Sequence, residues 1–239
     1  MSQYLLAVDT TSESGSIALA QTAPFGHGSV SVSEPRPEGA VGDLRVVEEV
    51  ALDAPGGFAH ILFDEIERLL ARHGLGLGNI DCFASAAGPG SFTGVRIGLT
   101  AVKGLAEANR RKAVAVSNLQ ALAFFGSRPL RAPVLDARRG EIYGGVYDAS
   151  LHLVRDESVV SFEAWISGLP RGDLEIITSG FALPPQPYPV IHAPRALAGA
   201  IAQIAARRFS EGLAVDPAQI DANYVRRSDA ELLWRDPRG

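Results

Sequence analysis

Hydrophobic positions along this 239-residue chain fall into two kinds of pattern, short unbroken apolar runs and wider stripes at helical spacing. Tyr4 to Val8 is an apolar run stopped by Asp9, Thr10, Thr11, Ser12 and Glu13, and Gly15 restarts it through Ile17, Ala18 and Leu19. That is the signature of two strands around a polar turn. Between residues 22 and 57, Pro24, Pro35, Pro37 and Pro55 interrupt every period, which predicts an exposed excursion with one strand near Val30 to Ser33. From Phe58 to His73 the period becomes helical. Ile61, Leu62, Glu65, Ile66, Leu69 and Leu70 form a stripe beside Asp64, Glu67, Arg68 and Arg72, and Gly74 supplies the stop.

A buried strand is expected at Ile80 to Ala87, followed by the run GPGSFTG and a second helix reaching about Asn109. A short strand from Ala113 to Val116 comes next, and Ser117 can cap the helix after it, with Gln120 at the capping-box position. Beyond Pro129 the pattern turns to sheet. Ala132 to Asp136 and Glu141 to Tyr147 read as a hairpin around Arg138, Arg139 and Gly140. Phe162 to Ile166 reads as a short helix, and Leu174 to Thr178 as a strand closed by Ser179 and Gly180. Prolines crowded between Pro184 and Pro194 predict a stiff connection without regular structure. Ala196 to Phe209 is an alanine-rich helix. Mixed sheets flanked by helices fit this order, an α/β class with a lobe boundary near residues 110 to 113.

Composition narrows the function classes. Apolar residues make up 46% of the chain and charged residues 21%, so disorder is excluded as a whole-chain description. The start MSQYLLAVDT lacks the basic and apolar segments of a secretion signal, and no apolar run reaches about 18 residues. A soluble, cytoplasmic protein without membrane association is expected. Cys82 is the one cysteine, which excludes an internal disulfide and a Cys-rich metal site. The histidines never fall into HxxxH or HExxH spacing, so no metal is expected. A net charge of -5 argues against a nonspecific nucleic-acid coat.

The block GPGSFTGVRIGL, residues 88 to 99, holds most of the chemical information. Gly88, Pro89 and Gly90 permit a tight bend from strand to helix, and Ser91 can cap the helix. Backbone N–H groups there could meet an anion, with Phe92, Thr93 and Arg96 beside them. Yet the block is neither a Walker A sequence nor GxGxxG, and Ser91 does not stand in GxSxG spacing. Gly94, Gly98 and Ala101 recur at i, i+4 and i+7, which exposes backbone along one helix face and lets another helix approach. Packing and ligand contact both remain open for this block. The same holds for Asp9, Thr10 and Thr11, which could orient a metal-bound phosphate or simply complete a turn. Asp136 to Glu141, DARRGE, could form surface ion pairs or an anion site. Cys82 reads as an inert core residue.

The segments LLAVDTTSESGSIALA, GPGSFTGVRIGLTAVKGLA, DARRGEIYGGVY and YVRRSDAELLW together resemble the bacterial TsaB family of tRNA threonylcarbamoyladenosine biosynthesis proteins, over nearly the whole chain. The resemblance implies a two-lobed actin-like ATPase (ASKHA, ribonuclease H-like) fold. Its lobes would span residues 1–111 and 112–194, with a helix at 195–215 returning toward the first lobe and a tail at 216–239. It implies a noncatalytic scaffold subunit, active in forming N6-threonylcarbamoyladenosine at tRNA position 37 in tRNAs reading codons that begin with A. The implied partner is the transferase TsaD, joined by the ATPase TsaE, with the carbamoyl donor made by TsaC and tRNA reached through the complex. In isolation the chain would self-associate. ATP or ADP at the interface of the complex is the one cofactor the resemblance brings forward. Asp9, Thr10 and Thr11 would correspond to the first phosphate-loop region of the superfamily. The pairing surface would lie on the helices at 58 to 73 and 93 to 109, through Ile61, Leu62, Glu65, Leu69, Gly94, Val95, Gly98, Ala101, Val102 and Leu105. Where relatives carry a histidine and then Leu-Leu-Pro at the first long helix, this chain has Phe58, a displaced His60, and Asp64 in place of the proline. Two other readings compete: an ATP-dependent kinase or nucleotide hydrolase of the same fold, and a tRNA-binding module built on Arg226, Arg227, Arg235 and Arg238.

Overall fold

A computed structural model describes residues 2–22 and 44–225. The expected Val30 to Ser33 strand and the tail arginines lie outside those residues. The first five-stranded sheet is built from β1 (Gln3–Asp9), β2 (Gly15–Thr22), β3 (Leu44–Leu52), β4 (Ile80–Ala86) and β5 (Lys112–Val116), in the order β3-β2-β1-β4-β5. β1 runs antiparallel to β2 and parallel to β4, so it is a central strand. Helices α1 (Leu62–Arg72) and α2 (Phe92–Ala108) cover one face, and α5 (Ala198–Ser210) covers the other.

Burial on both faces explains why β1 reads as an unbroken apolar run. Leu6 and Val8 meet Leu62, Ile66, Leu69, Val95, Leu99 and Val102 on the α1/α2 side. Leu5 and Ala7 join Ala18, Ala20, Cys82 and Ala84 against the alanine-rich α5. Small residues on both partners let that helix lie close to the sheet. The α5 N-terminus is tied down as well: Leu197 and Ala198 donate backbone N–H groups to Ser16 Oγ, and Gly199 donates to Glu49 Oε1 at 2.8 Å. These side chains satisfy amides that the helix leaves without internal partners.

The second sheet combines β6 (Leu130–Arg138), β7 (Glu141–Asp148), β8 (Leu153–Ser161), β9 (Leu174–Thr178) and β10 (Val190–His192) in the order β10-β9-β6-β7-β8. α3 (Asn118–Ala123) joins the two sheets, and α4 (Phe162–Ser167) packs Trp165 into the second core. Gly144 is required beneath that ring, because a Cβ there would stand 2.5 Å from Trp165 Nε1.

Several expectations change. β3 occupies part of the predicted excursion; the bulge between its Val46 and Glu48 partners breaks the two-residue alternation that would have marked it. β10 lies inside the proline-rich stretch and pairs in parallel with β9 over three residues, which is as much as the flanking Pro189 and Pro194 allow. β8 has no counterpart among the expected strands, because its residues carry no clean alternation. Phe58–His60 form a separate 3-10 turn before α1, and the Phe58 ring covers Gly15, where a Cβ would lie 2.5 Å from Phe58 Cε1. Ser117 does cap α3, but Gln120 turns away from the cap, donating to Leu151 O and accepting from Arg208. No helix among the described residues is long and apolar enough to cross a membrane.

Candidate functional site

The polar turn after β1 and the GPGS loop before α2 form one closed unit. Thr11 donates its N–H to Asp9 Oδ1 at 2.9 Å and its hydroxyl to the same oxygen at 2.6 Å. Thr11 O in turn accepts the Ser91 N–H at 2.6 Å, and Thr10 donates its hydroxyl to Gly94 O at 2.7 Å. Gly88 turns the chain at a φ of 93° in the left-handed region that favours glycine. Ser91 caps α2 by accepting from Gly94 N, as expected.

Asn118 clamps the unit from below. Its Nδ2 donates to Thr11 Oγ1 at 2.7 Å, its Oδ1 accepts from Gly88 N, and its own N–H donates to Gly88 O. Sequence reasoning misses this residue, because nothing in a lone Asn after a strand shows a partner 30 residues away. The C-terminal segment closes the outer side: Asn223 donates its N–H to Ala87 O, and Tyr224 OH accepts from Arg96 Nε at 3.2 Å. Arg96 lies over the Phe92 ring at 3.8 Å, in cation-π contact.

The glycine row on α2 faces inward. A Cβ on Gly94 would stand 1.9 Å from Thr10 O, and one on Gly98 would stand 2.8 Å from Thr10 Oγ1 and 3.1 Å from Ser85 Oγ. The close approach read from the spacing is therefore made by the β1 turn and not by another helix. This corrects the expectation that Gly94 and Gly98 contact a partner. Leu62, Leu69, Val95, Ala101, Val102 and Leu105 are likewise buried within the chain. Of the expected pairing residues, Ile61 and Glu65 keep partly exposed side chains. The outward positions of these helices include Phe63, Phe92, Thr93 and Arg96, while Ile97 is half-buried and packs partly against the core.

Asp9, Thr10 and Thr11 are 1%, 1% and 4% exposed, so a ligand reaching them would have to displace the loop above. At the β6–β7 turn, Arg138 and Arg139 hold φ angles of 63° and 58°, and Arg138 Nη2 lies 3.4 Å from Glu13 Oε1 on the turn after β1. Both side chains of that pair are largely solvated, which makes it a weak tie. Cys82 is fully buried, and burial pushes its thiol up to about 12, consistent with an inert thiol.

Burial also raises the Asp9 pKa; donors from Thr11 and Asn118 oppose the shift, and the Glu49 carboxylate adds to it. The native chain thus keeps this proton to a higher pH than the unfolded chain does. Its stabilising contribution is present at acid pH and lost as pH rises through the raised native value. Asp9→Asn retains the accepting oxygen without the charge. The variant should gain stability relative to the parent as pH rises from acid to neutral, measured as urea midpoints over a pH series. Midpoints that run parallel at every pH would remove Asp9 as the responsible group.

The family model described as TsaD, tRNA N6-adenosine threonylcarbamoyltransferase, matches residues 54–221. The tRNA threonylcarbamoyladenosine biosynthesis protein TsaB of Bacillus subtilis is 33% identical over 162 residues, covering 62% of this chain and 71% of that protein. The chain belongs to the TsaB/YeaZ branch of the TsaD family. The solved structure of YeaZ from Pseudomonas aeruginosa agrees with it at a TM-score of 0.72 and 27% identity, over 93% of this chain and 99% of that one. Two five-stranded mixed sheets flanked by helices are thus the TsaB/YeaZ form of the actin-like, ribonuclease H-like fold. A Methylocapsa acidiphila protein named tRNA N6-adenosine threonylcarbamoyltransferase is 37% identical over 127 residues, half of this chain but 34% of that protein.

Proposed function

We propose that this chain is a noncatalytic subunit of the machinery that forms threonylcarbamoyladenosine in tRNA, pairing with a TsaD-type transferase through the outward sides of α1 and α2. The observation that carries the reading is the sealed turn. In this TsaB/YeaZ-family chain the Asp9–Thr11 carboxylate, hydroxyls and backbone are committed to one another, to Asn118 and to the GPGS loop. A turn held this way suits a rigid platform for α2 better than a site that opens for phosphate in each turnover. Rigidity at the α2 start also suits pairing, because a preformed helix pair loses little entropy when a partner docks. On this reading TsaE joins the pair, tRNA is engaged through the assembled complex, and nucleotide acts at the interface of the complex.

Reconstitution with purified TsaC, TsaD and TsaE provides the test. Modification of substrate tRNA is expected to require this chain, and this chain with TsaC alone is expected to transfer nothing. Full activity in its absence, or transfer by this chain without TsaD, would overturn the proposal. ATP turnover by the isolated chain would favour the kinase or hydrolase reading instead.

A further inference from the structure

A cavity of about 440 Å³ opens between α3, the β7–β8 hairpin, α5 and the C-terminal segment, next to the sealed turn through Ser117 and Asn223. Its walls carry Arg208 and Glu157, of opposite sign, with His152 at the edge 3.5 Å from Asp148 Oδ2. Arg208, on α5, has most of its guanidinium out of water, and buried charges are ordinarily matched by an opposite charge. Here its partners are neutral: Nη1 donates to Ala115 O at 2.6 Å and Nη2 to Gln120 Oε1 at 2.7 Å. The neighbouring Glu211 is bonded to Arg207 at 3.0 Å. Burial holds the Arg208 pKa below the ordinary guanidinium range, against the opposing pull of Tyr147 and of the Glu211 carboxylate.

Glu157 supplies the anion. Its Oε1 accepts the hydroxyls of Ser117 and Tyr147, and its Oε2 accepts the Asn223 amide. These donors come from α3's cap, β7 and the C-terminal segment, and they fix the carboxylate without neutralising it. The cavity therefore presents a cation and an anion whose direct hydrogen-bond partners are neutral groups, and the two are not bonded to each other. Leu151 and Leu153 add an apolar flank. The volume is within the range of small-molecule sites.

We propose that this cavity binds a small zwitterion of the α-amino-acid type, its carboxylate on Arg208 and its ammonium on Glu157. A single anion would satisfy Arg208 but meet the Glu157 charge, and a single cation would do the reverse. A ligand with both charges satisfies each group at once.

Calorimetric titration of the unaltered full chain with the common amino acids, one at a time, tests the inference. Acetate and methylammonium serve as single-charge controls. At least one amino acid should bind, and acetylating its amine or amidating its carboxyl should each weaken binding about tenfold or more, the usual scale for losing a charged hydrogen bond. Arg208→Gln and Glu157→Gln should weaken the same ligand to a similar degree. The chemically blocked ligands answer the question even if either variant fails to fold. Acetate binding as tightly as any amino acid, indifference to acetylation, or no binding by any amino acid would each overturn the proposal.

Discussion

Replacing Gly94 by alanine is expected to destabilise the fold by about 3 kcal/mol, the upper range for forcing extra volume into a packed site. The added Cβ would fall 1.9 Å from Thr10 O, a backbone atom held in place because the neighbouring Thr10 hydroxyl donates to Gly94 O and Thr11 O accepts from Ser91. Neither element can move aside without breaking those bonds. Gly104 on the same helix provides the control, since nothing lies within 4 Å of a Cβ there. Gly104→Ala should stabilise by about 0.5–1 kcal/mol, because alanine loses less backbone entropy in a helix. Urea midpoints of the two variants decide the matter, and equal midpoints would contradict the packed seat between α2 and the β1 turn. The contrast also separates glycine that a helix needs from glycine that it merely tolerates.

If the proposed pairing with TsaD runs over the outward side of the helix pair, a charge placed there should abolish it while leaving this chain folded. Phe63 on α1 is 54% exposed, and Ile97 on α2 is partly exposed beside the buried row of Val95, Gly98 and Leu99. Large apolar side chains in such positions are the kind that dominate interface energies. For Phe63→Glu with Ile97→Glu we expect at least about a hundredfold loss of affinity for TsaD in sedimentation, equivalent to roughly 2.7 kcal/mol. Phe63→Glu alone should change the unfolding free energy by no more than about 1 kcal/mol, because Phe63 is 54% exposed. Ile97 also packs against the core, so Ile97→Glu is expected to cost more. Reconstituted tRNA modification should fall with pairing. Undiminished affinity would put the pairing surface elsewhere; a collapsed midpoint for Phe63→Glu would show that its side chain supports the core.

Much of this architecture is legible in the order of residues alone. The apolar run of β1 and the stripe of α1 have periods set by burial, and burial leaves the same mark in any chain. The Ser91 and Ser117 caps are readable for a related reason, because a cap bonds within three residues of itself. β3 is not readable, since its bulge shifts the register halfway along.

The GPGSFTG block shows where local pattern stops. Its glycines signal a close approach, and that approach exists. The element making it is the Thr10–Thr11 turn, 84 residues away in the chain, and no helical period can name a partner at that distance. Asn118, Glu157 and Arg208 carry no local signal at all. Their roles arise from α3, β8 and α5 meeting around shared polar atoms. Sequence by itself determined most of the alternation of strand and helix, though not β3, β8 or β10, together with the cap chemistry and the family, because these depend on short-range spacing and on motif residues. The tertiary structure decided which surface the glycine row faces, that the polar turn is sealed, and that two charges hydrogen-bonded to neutral groups share one cavity. Those outcomes depend on which elements the chain topology brings together, and that information is not carried by any one segment.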